Sequence, residues 1–508
     1  MEKTKKLKIA IFIFFIIVII VNAWLCDDAY ISFRVIKNFI DGLGLRWNTF
    51  ERVQVFTNPL MVLMLIPFYA ITHEIYYTAI IFDIIISSLA LYVLFFKISK
   101  NNWNCVLYGI ILLFSKSFIS FTTSGLENCL TFLLLSLFFY FLFKKDQYLK
   151  KDILILSFIS SLILLNRMDS ILLVIPAWFY ILYKKDKNIN ILKFIFYFIV
   201  GMIPFIAWET FALIYYGFLF PNTYYAKLTT GISKIDYMKN GVLYLSTTLI
   251  LDPATLLTII FGSLLLFIDE NKKMLTIVIG NIIFLIYIIY VGGDFMLGRF
   301  LTPALFITTI GLANIEKNIF KEKINNLIIS ILSLAFIVFT IFYPRDLQYY
   351  QFLNGVANEQ LYYFNATSLL KVGSEKYIKD MDYSHYAYKK DKIYLFGNIG
   401  FAGYFAKNDV IFIDPFALAD PLLARIPLKN PLLDRIGHIK REIPNGYLKS
   451  IETGKNVIKD ENLKKFYDVI KIITQEKIFS KKRIKTIIKY HLGKYDYLID
   501  NYLKNKEI

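Results

Sequence analysis

Charge is scarce in this 508-residue chain: 19% of its residues are Asp, Glu, Lys or Arg, against 57% hydrophobic and 17% aromatic. A soluble chain carries about 25% charged residues, so this one cannot clothe several domain cores in a polar skin. Cysteine is scarcer still. Cys26, Cys105 and Cys129 make neither a disulfide framework nor a paired CxxC zinc site. No Walker-type phosphate loop is present, which argues against energy drawn from cytoplasmic ATP. No RNA- or DNA-binding motif occurs, and no internal repeat or low-complexity linker interrupts the chain.

Apolar runs are abundant instead. Crossing about 30 Å of hydrocarbon takes roughly 20 apolar residues, and such runs recur along most of the first 344 positions. The excess of 57 Lys+Arg over 39 Asp+Glu, a net charge of +18, lies between those runs. There it reads as an orientation signal and an attraction to anionic lipid. Lys3, Lys5, Lys6 and Lys8 place the start of an uncleaved first helix in the cytoplasm. Lysines near 97–100, 144–151, 184–187, 272–273 and 317–323 mark cytoplasmic loops in the same way.

Between those loops, spans are expected near 75–96, 103–121, 126–143, 152–166, 169–183, 191–215, 254–268, 274–291, 299–315 and 325–343. Parity requires 59–72 not to cross, so that run is expected as an amphipathic helix lying in the interface or partly inserted. The expected fold is therefore a polytopic α-helical membrane protein of about eleven spans. Its transmembrane domain covers 1–344, with a first outer loop at 26–74, and an extracytoplasmic soluble α/β domain covers 345–508. The strand-like runs KIYLFG and DVIFID, followed by basic helix-like stretches after Glu452, set that tail apart.

Polar and ionisable residues gather at the outer boundary of this map, where they are costly and usually mark a site. Asp27 and Asp28 end the first span; two adjacent carboxylates beside an apolar run suit a general base or a divalent ion. Tyr30, Phe33, Ile36, Lys37 and Ile40 follow at helical spacing, as a surface helix walling a cavity would. A hydrated helix end explains the acid pair as well. Glu127 in TSGLEN serves equally as an N-terminal-turn carboxylate, and Arg167 with Asp169 in LNRMDS as a paired turn. Asn222, Tyr224, Tyr225 and Lys227 offer donors, rings and one cation for a sugar phosphate, or an interfacial aromatic belt. VGGDFMLGRF places Asp294 and Arg299 in the gap between two spans, where Arg299 offers a fork for phosphate or simply pairs with Asp294 in an ordinary outer turn. His385 and His438 are too isolated to be metal ligands.

The stretch DDAYISFRVIKNFIDGLGLRWNTFERVQVFTNPL resembles the first outer loop of a bacterial glycosyltransferase family. That family includes the mycobacterial terminal β-(1→2)-arabinofuranosyltransferase. TSGLEN, RMD, PNTYYAK, GGDFMLGRF, DPFALADP and GHIKREIP recur in the family's order, from residue 26 to about 447. The family belongs to the GT-C class, whose members use polyprenyl-phosphate sugars at the outer face of the membrane. The resemblance implies an aspartate of the first outer loop as catalytic base, carried onto Asp28 or Asp27. Substrate-binding roles are expected for Glu127, Arg167, Asp169, Asn222, Tyr224, Tyr225, Lys227, Asp294, Arg299 and His438. A Mg or Mn ion on the Asp27–Asp28 pair is a further expectation. Met168 stands where the family's arginine–aspartate motif has proline, and the composition departs from a mycobacterial one, so arabinose is not implied. The expected activity is inverting transfer of a hexosyl or pentosyl unit from a lipid-linked donor to a cell-envelope glycan such as lipopolysaccharide or capsule. The expected site is the bacterial cytoplasmic membrane, N-terminus inside and C-terminal domain outside. A flippase for lipid-linked glycans is the alternative.

Overall fold

A computed structural model describes residues 2–269, 271–316, 352–370, 392–428 and 435–506. Helix dominates it. The expected span at 325–343, the lysines at 317–323, the 344/345 boundary and His385 lie outside the described residues. Elsewhere the apolar runs form helices close to their expected positions, among them Glu2–Val21, Ile75–Tyr92, Asn128–Phe143, Lys150–Asn166, Pro253–Ile268 and Lys272–Val291.

Length separates these helices. Among the described residues, Ile75–Ile98 and Lys272–Val291 are long and apolar enough to cross a membrane. Two bent pairs, Ile191–Gly201 with Ile203–Tyr215 and Lys234–Leu251 with Pro253–Ile268, raise that to four if each is one span. Asn102–Phe114, of 13 residues, reaches only about 20 Å at 1.5 Å per residue. The long helices turn large apolar side chains outward: Ile81 and Ile85 on one, Ile282 and Ile286 on the other, all at least half exposed. Water penalises such stripes and lipid does not.

One expectation is corrected, and one helix stands where none was expected. The run 59–72 is helical as Pro59–Thr72, but PLMVLMLIPFYAIT carries no charge and is apolar on every side, so it is not amphipathic. Lys234–Leu251, unforeseen because Asp236, Lys239 and Asn240 break its apolar run, is a helix of 18 residues. It meets Pro253–Ile268 at a bend of 106°, where Asp252 precedes Pro253 and the proline cannot continue the helix.

The chain divides into two compact units, each assembled from separate segments rather than by one cut. One comprises Met1–Cys26, Glu74–Phe205 and Tyr237–Ser374. Polar clasps lock its apolar helices: Asn281 Nδ2 donates to Ser263 Oγ at 3.0 Å and Thr308 Oγ1 at 2.8 Å. Asp252 accepts from Ser117 N at 2.9 Å, Ser117 Oγ at 2.6 Å and Thr255 Oγ1 at 2.6 Å. Phe118 stacks on Phe306 with centroids 5.7 Å apart.

The other unit comprises Asp27–His73, Ile206–Asp236 and Glu375–Ile508. Here Ile393–Leu395 and Ile411–Ile413, within the expected KIYLFG and DVIFID strands, pair in parallel, with Ile399–Phe405 as the helix between them. Helix Asp27–Ile40 packs on this element. Its Arg34, only 2% exposed, donates through Nε to Trp47 O at 3.1 Å, through Nη2 to Val410 O at 2.8 Å, and through Nη1 to Gly403 O. A buried guanidinium is tolerable only when its donors are met in this way. Glu461–Gln475, Lys481–His491 and Asp496–Lys506 form the basic helical end, and Leu463, Phe466, Ile470 and Ile473 pack inward against Leu422 and Leu423.

Candidate functional site

Asp27 and Asp28 occupy the first turn of helix Asp27–Ile40, where the helix's unpaired N–H groups favour negative charge. Asp27 is buried. Its Oδ1 accepts from Phe401 N at 2.8 Å and its Oδ2 from Gly400 N at 3.1 Å, so one carboxylate closes the start of helix Ile399–Phe405. A Cβ on residue 400 would overlap the Asp27 carbonyl, which explains glycine there. Burial pushes the Asp27 carboxyl up to about 7; the two N–H donors oppose that shift and the neighbouring Asp28 adds to it. Asp28 is half-buried.

These two carboxylates fit an ion poorly. Both oxygens of Asp27 already accept backbone hydrogen bonds. Among the described residues no group of three or more His, Cys, Asp and Glu side chains converges as a metal cage. Mg and Mn favour about six oxygen ligands.

The same unit holds PNTYYAK as a short helix, Asn222–Leu228. Asn222 Nδ2 lies 2.9, 3.1 and 3.0 Å from the carbonyls of Ala417, Leu418 and Asp420, and its Oδ1 accepts from Arg425 Nη1 at 2.8 Å. Asn222 thus shapes the DPFALADP loop with its whole side chain. The Arg425 guanidinium lies against the rings of both Phe218 and Tyr225, 3.8 and 4.1 Å from their centroids. Tyr225 is therefore occupied as a platform for Arg425. Tyr224, exposed, stacks on Phe220 at 4.4 Å, while Lys227 is half-buried. His438 is half-buried with its ring against the ring of Phe416 at 5.0 Å.

Around that loop stands a buried acidic group that sequence reasoning passed over. Asp414 accepts from Phe416, Leu418 and Ala419 N, and burial pushes it up to about 7. Asp420 accepts from Leu422 and Leu423 N and from Tyr447 Oη at 2.8 Å, and burial pushes it up to about 6. Glu51 is raised well above the usual carboxylate range, first by burial and then by the nearby Asp420 charge. Two of these acids sit in DPFALADP and Glu51 in the first-loop stretch, segments noted for their resemblance but not for these acids; Arg425 carried no sequence signal.

In the other unit five of the expected residues do meet. TSGLEN folds through Ser124 and Gly125, at φ of 58° and 75°, and delivers buried Glu127 to the start of Asn128–Phe143. Arg167 grips Asp169 as a fork, Nε to Oδ1 at 2.8 Å and Nη2 to Oδ2 at 3.1 Å, and its Nη1 donates to Glu127 Oε1. Arg299 and buried Asp294 pair at 2.8 Å. The ring of Phe300 lies near both arginines, 4.3 Å from the Arg167 guanidinium and 5.4 Å from that of Arg299. Asn166 Nδ2 donates to Glu127 O at 2.9 Å, and Asn128 Nδ2 to Thr302 Oγ1 at 3.0 Å, holding the backbone beneath the cluster. Three carboxylates face two guanidiniums, so Arg299 is ion-paired within an acid-rich cluster rather than standing as an isolated phosphate fork.

The expected site residues are thus divided between the two units. No protein-family model matches this chain, and no curated protein matches it.

Proposed function

We propose that this chain is an inverting, polyprenyl-phosphate-sugar-dependent glycosyltransferase of the GT-C type, resident in the bacterial cytoplasmic membrane. On this reading it is polytopic, its outer loops and C-terminal α/β segment lie outside the cytoplasm, and a cell-envelope glycan is the acceptor. The order of motifs from Asp27 to Pro444, which resembles the arabinofuranosyltransferase family, suggests the class. The observation that carries the mechanism is the unequal environment of the acid pair. Asp27 is held by Gly400 and Phe401 N–H; Asp28, the next residue of the same helical turn, is half-buried.

Asp28 is therefore the base and Asp27 its positioning residue. The acceptor hydroxyl attacks the anomeric carbon as its proton passes to Asp28. The bond from that carbon to the phosphate oxygen breaks on the opposite face, and its electron pair leaves with polyprenyl phosphate. Lys227 is assigned to the phosphate and the exposed ring of Tyr224 to the sugar face. The acid-rich cluster of Glu127, Arg167, Asp169, Asp294 and Arg299 suits recognition of hydroxyls more than of a bare phosphate. No step runs through an ion.

The flippase alternative draws on the bent pair Lys234–Leu251 and Pro253–Ile268, since discontinuous helices also line transport pathways. Purified protein reconstituted with a radiolabelled polyprenyl-phosphate sugar and an envelope glycan separates the two. Transfer yields label in the glycan and one released lipid phosphate per bond. Movement of labelled lipid across the bilayer without a new glycosidic bond rejects the transferase.

A further inference from the structure

Helix Lys481–His491 faces two ways. Arg483, Thr486 and Ile487 are buried on the inner side, and Arg483 fastens it by donating to Ile473 O at 2.7 Å and Tyr215 O at 2.9 Å. The outer side mixes exposed lysines with an apolar row, where a solvated helix face would be polar throughout. Ile484, Ile488 and Leu492, four residues apart, are 43%, 54% and 67% exposed, and Phe479 just before the helix is 78% exposed. Four-residue spacing sets three of these side chains in one row along the helix. Beside the row run Lys481, Lys485 and Lys489, all exposed. From Lys477 to Lys494 the chain holds six lysines and Arg483 but no Asp or Glu.

We infer that the Phe479–Leu492 face is a monotopic membrane-contact surface that beds its apolar row into the interface of an anionic bilayer. An exposed apolar stripe bordered by lysines fits a lipid surface on both counts. The rings and aliphatics enter the boundary between headgroups and acyl chains, while the lysine stems reach back to the phosphates. Nucleic acid fits worse, because the centre of the face offers isoleucine and leucine rather than donors or stacking rings. The surface belongs to the unit that carries Asp27 and Asp28. The inference does not depend on what reaction that unit performs.

The test uses the full chain in lipid nanodiscs, with an environment-sensitive fluorophore on Ile488→Cys or, as a solvent control, on exposed Lys465→Cys. The native cysteines Cys26, Cys105 and Cys129 are buried. In phosphatidylglycerol-containing discs the Ile488→Cys probe should emit to the blue and be quenched by doxyl-labelled lipid, while the Lys465→Cys probe is quenched by aqueous iodide. Adding Lys481→Glu, Lys485→Glu and Lys489→Glu should cut the doxyl quenching by about half or more. An Ile488→Cys probe as open to iodide as the control overturns the inference. So does protection from iodide without quenching by doxyl lipid, which would mean a protein covers the face.

Discussion

The carboxylate of Asp27 accepts the backbone N–H of Phe401 at 2.8 Å, joining positions 374 residues apart in the chain. One acidic side chain, next to a second, closes a helix start from the far end of the sequence. Asp27→Asn keeps one oxygen but turns an amide donor toward N–H groups. The unit should lose about 1–3 kcal/mol, the usual cost of an unmet buried donor. Gly400→Ala, which pushes a Cβ into the Asp27 carbonyl, should cost a similar amount. Thermal unfolding of the purified protein checks both; unchanged midpoints would contradict the contact.

Asp27, Asp414 and Asp420 are pushed up to about 7, 7 and 6 chiefly by burial, whereas an unfolded aspartate titrates near 4. The folded state therefore holds these protons more tightly than the unfolded state. Their contribution is full below about pH 4 and is lost as pH rises toward 7. The melting midpoint should fall between about pH 4 and pH 7, and Asp414→Asn should flatten that fall. A wild-type slope in Asp414→Asn would contradict the assignment.

Arg167 binds both Asp169 and Glu127. Arg167→Leu leaves two carboxylates without their guanidinium and should cost about 3–5 kcal/mol. Replacing Glu127, Arg167 and Asp169 together by Gln, Leu and Asn should cost much less than Arg167→Leu alone, because no buried charge is then stranded. Denaturant unfolding measures the difference.

Asn222→Ala removes the amide that sits under Ala417, Leu418 and Asp420 and the acceptor for Arg425. A loss of about 2–3 kcal/mol is expected, more than one hydrogen bond is worth. An Asn222→Ala protein that melts like wild type would show that the 414–420 loop holds its shape without it.

The strands at 393–395 and 411–413 were legible because short β-branched and aromatic runs, KIYLFG and DVIFID, stand between turn residues. Asp27 and Asp28 were legible because charge at the end of an apolar run is conspicuous. The Gly400 contact was not, since nothing local in NIGFAGYF marks a partner so distant. Pro59–Thr72 misled because parity, rather than its wholly apolar face, decided its reading. Glu51 lies in the polar stretch ERVQ and Arg425 is a single charge in the apolar LARIP; nothing local marks either as buried with partners, and folding buries both. Asn222 and Tyr225 were noticed as sugar-binding types, yet their side chains are engaged by the DPFALADP loop and by Arg425.

Transfer of labelled sugar by the Asp28→Asn protein, set beside wild type and Asp27→Asn at matched folding, tests the proposed base most directly. The expected result is no detectable glycan label from Asp28→Asn, partial label from Asp27→Asn, and donor binding retained in both. Wild-type rates from Asp28→Asn would contradict the account.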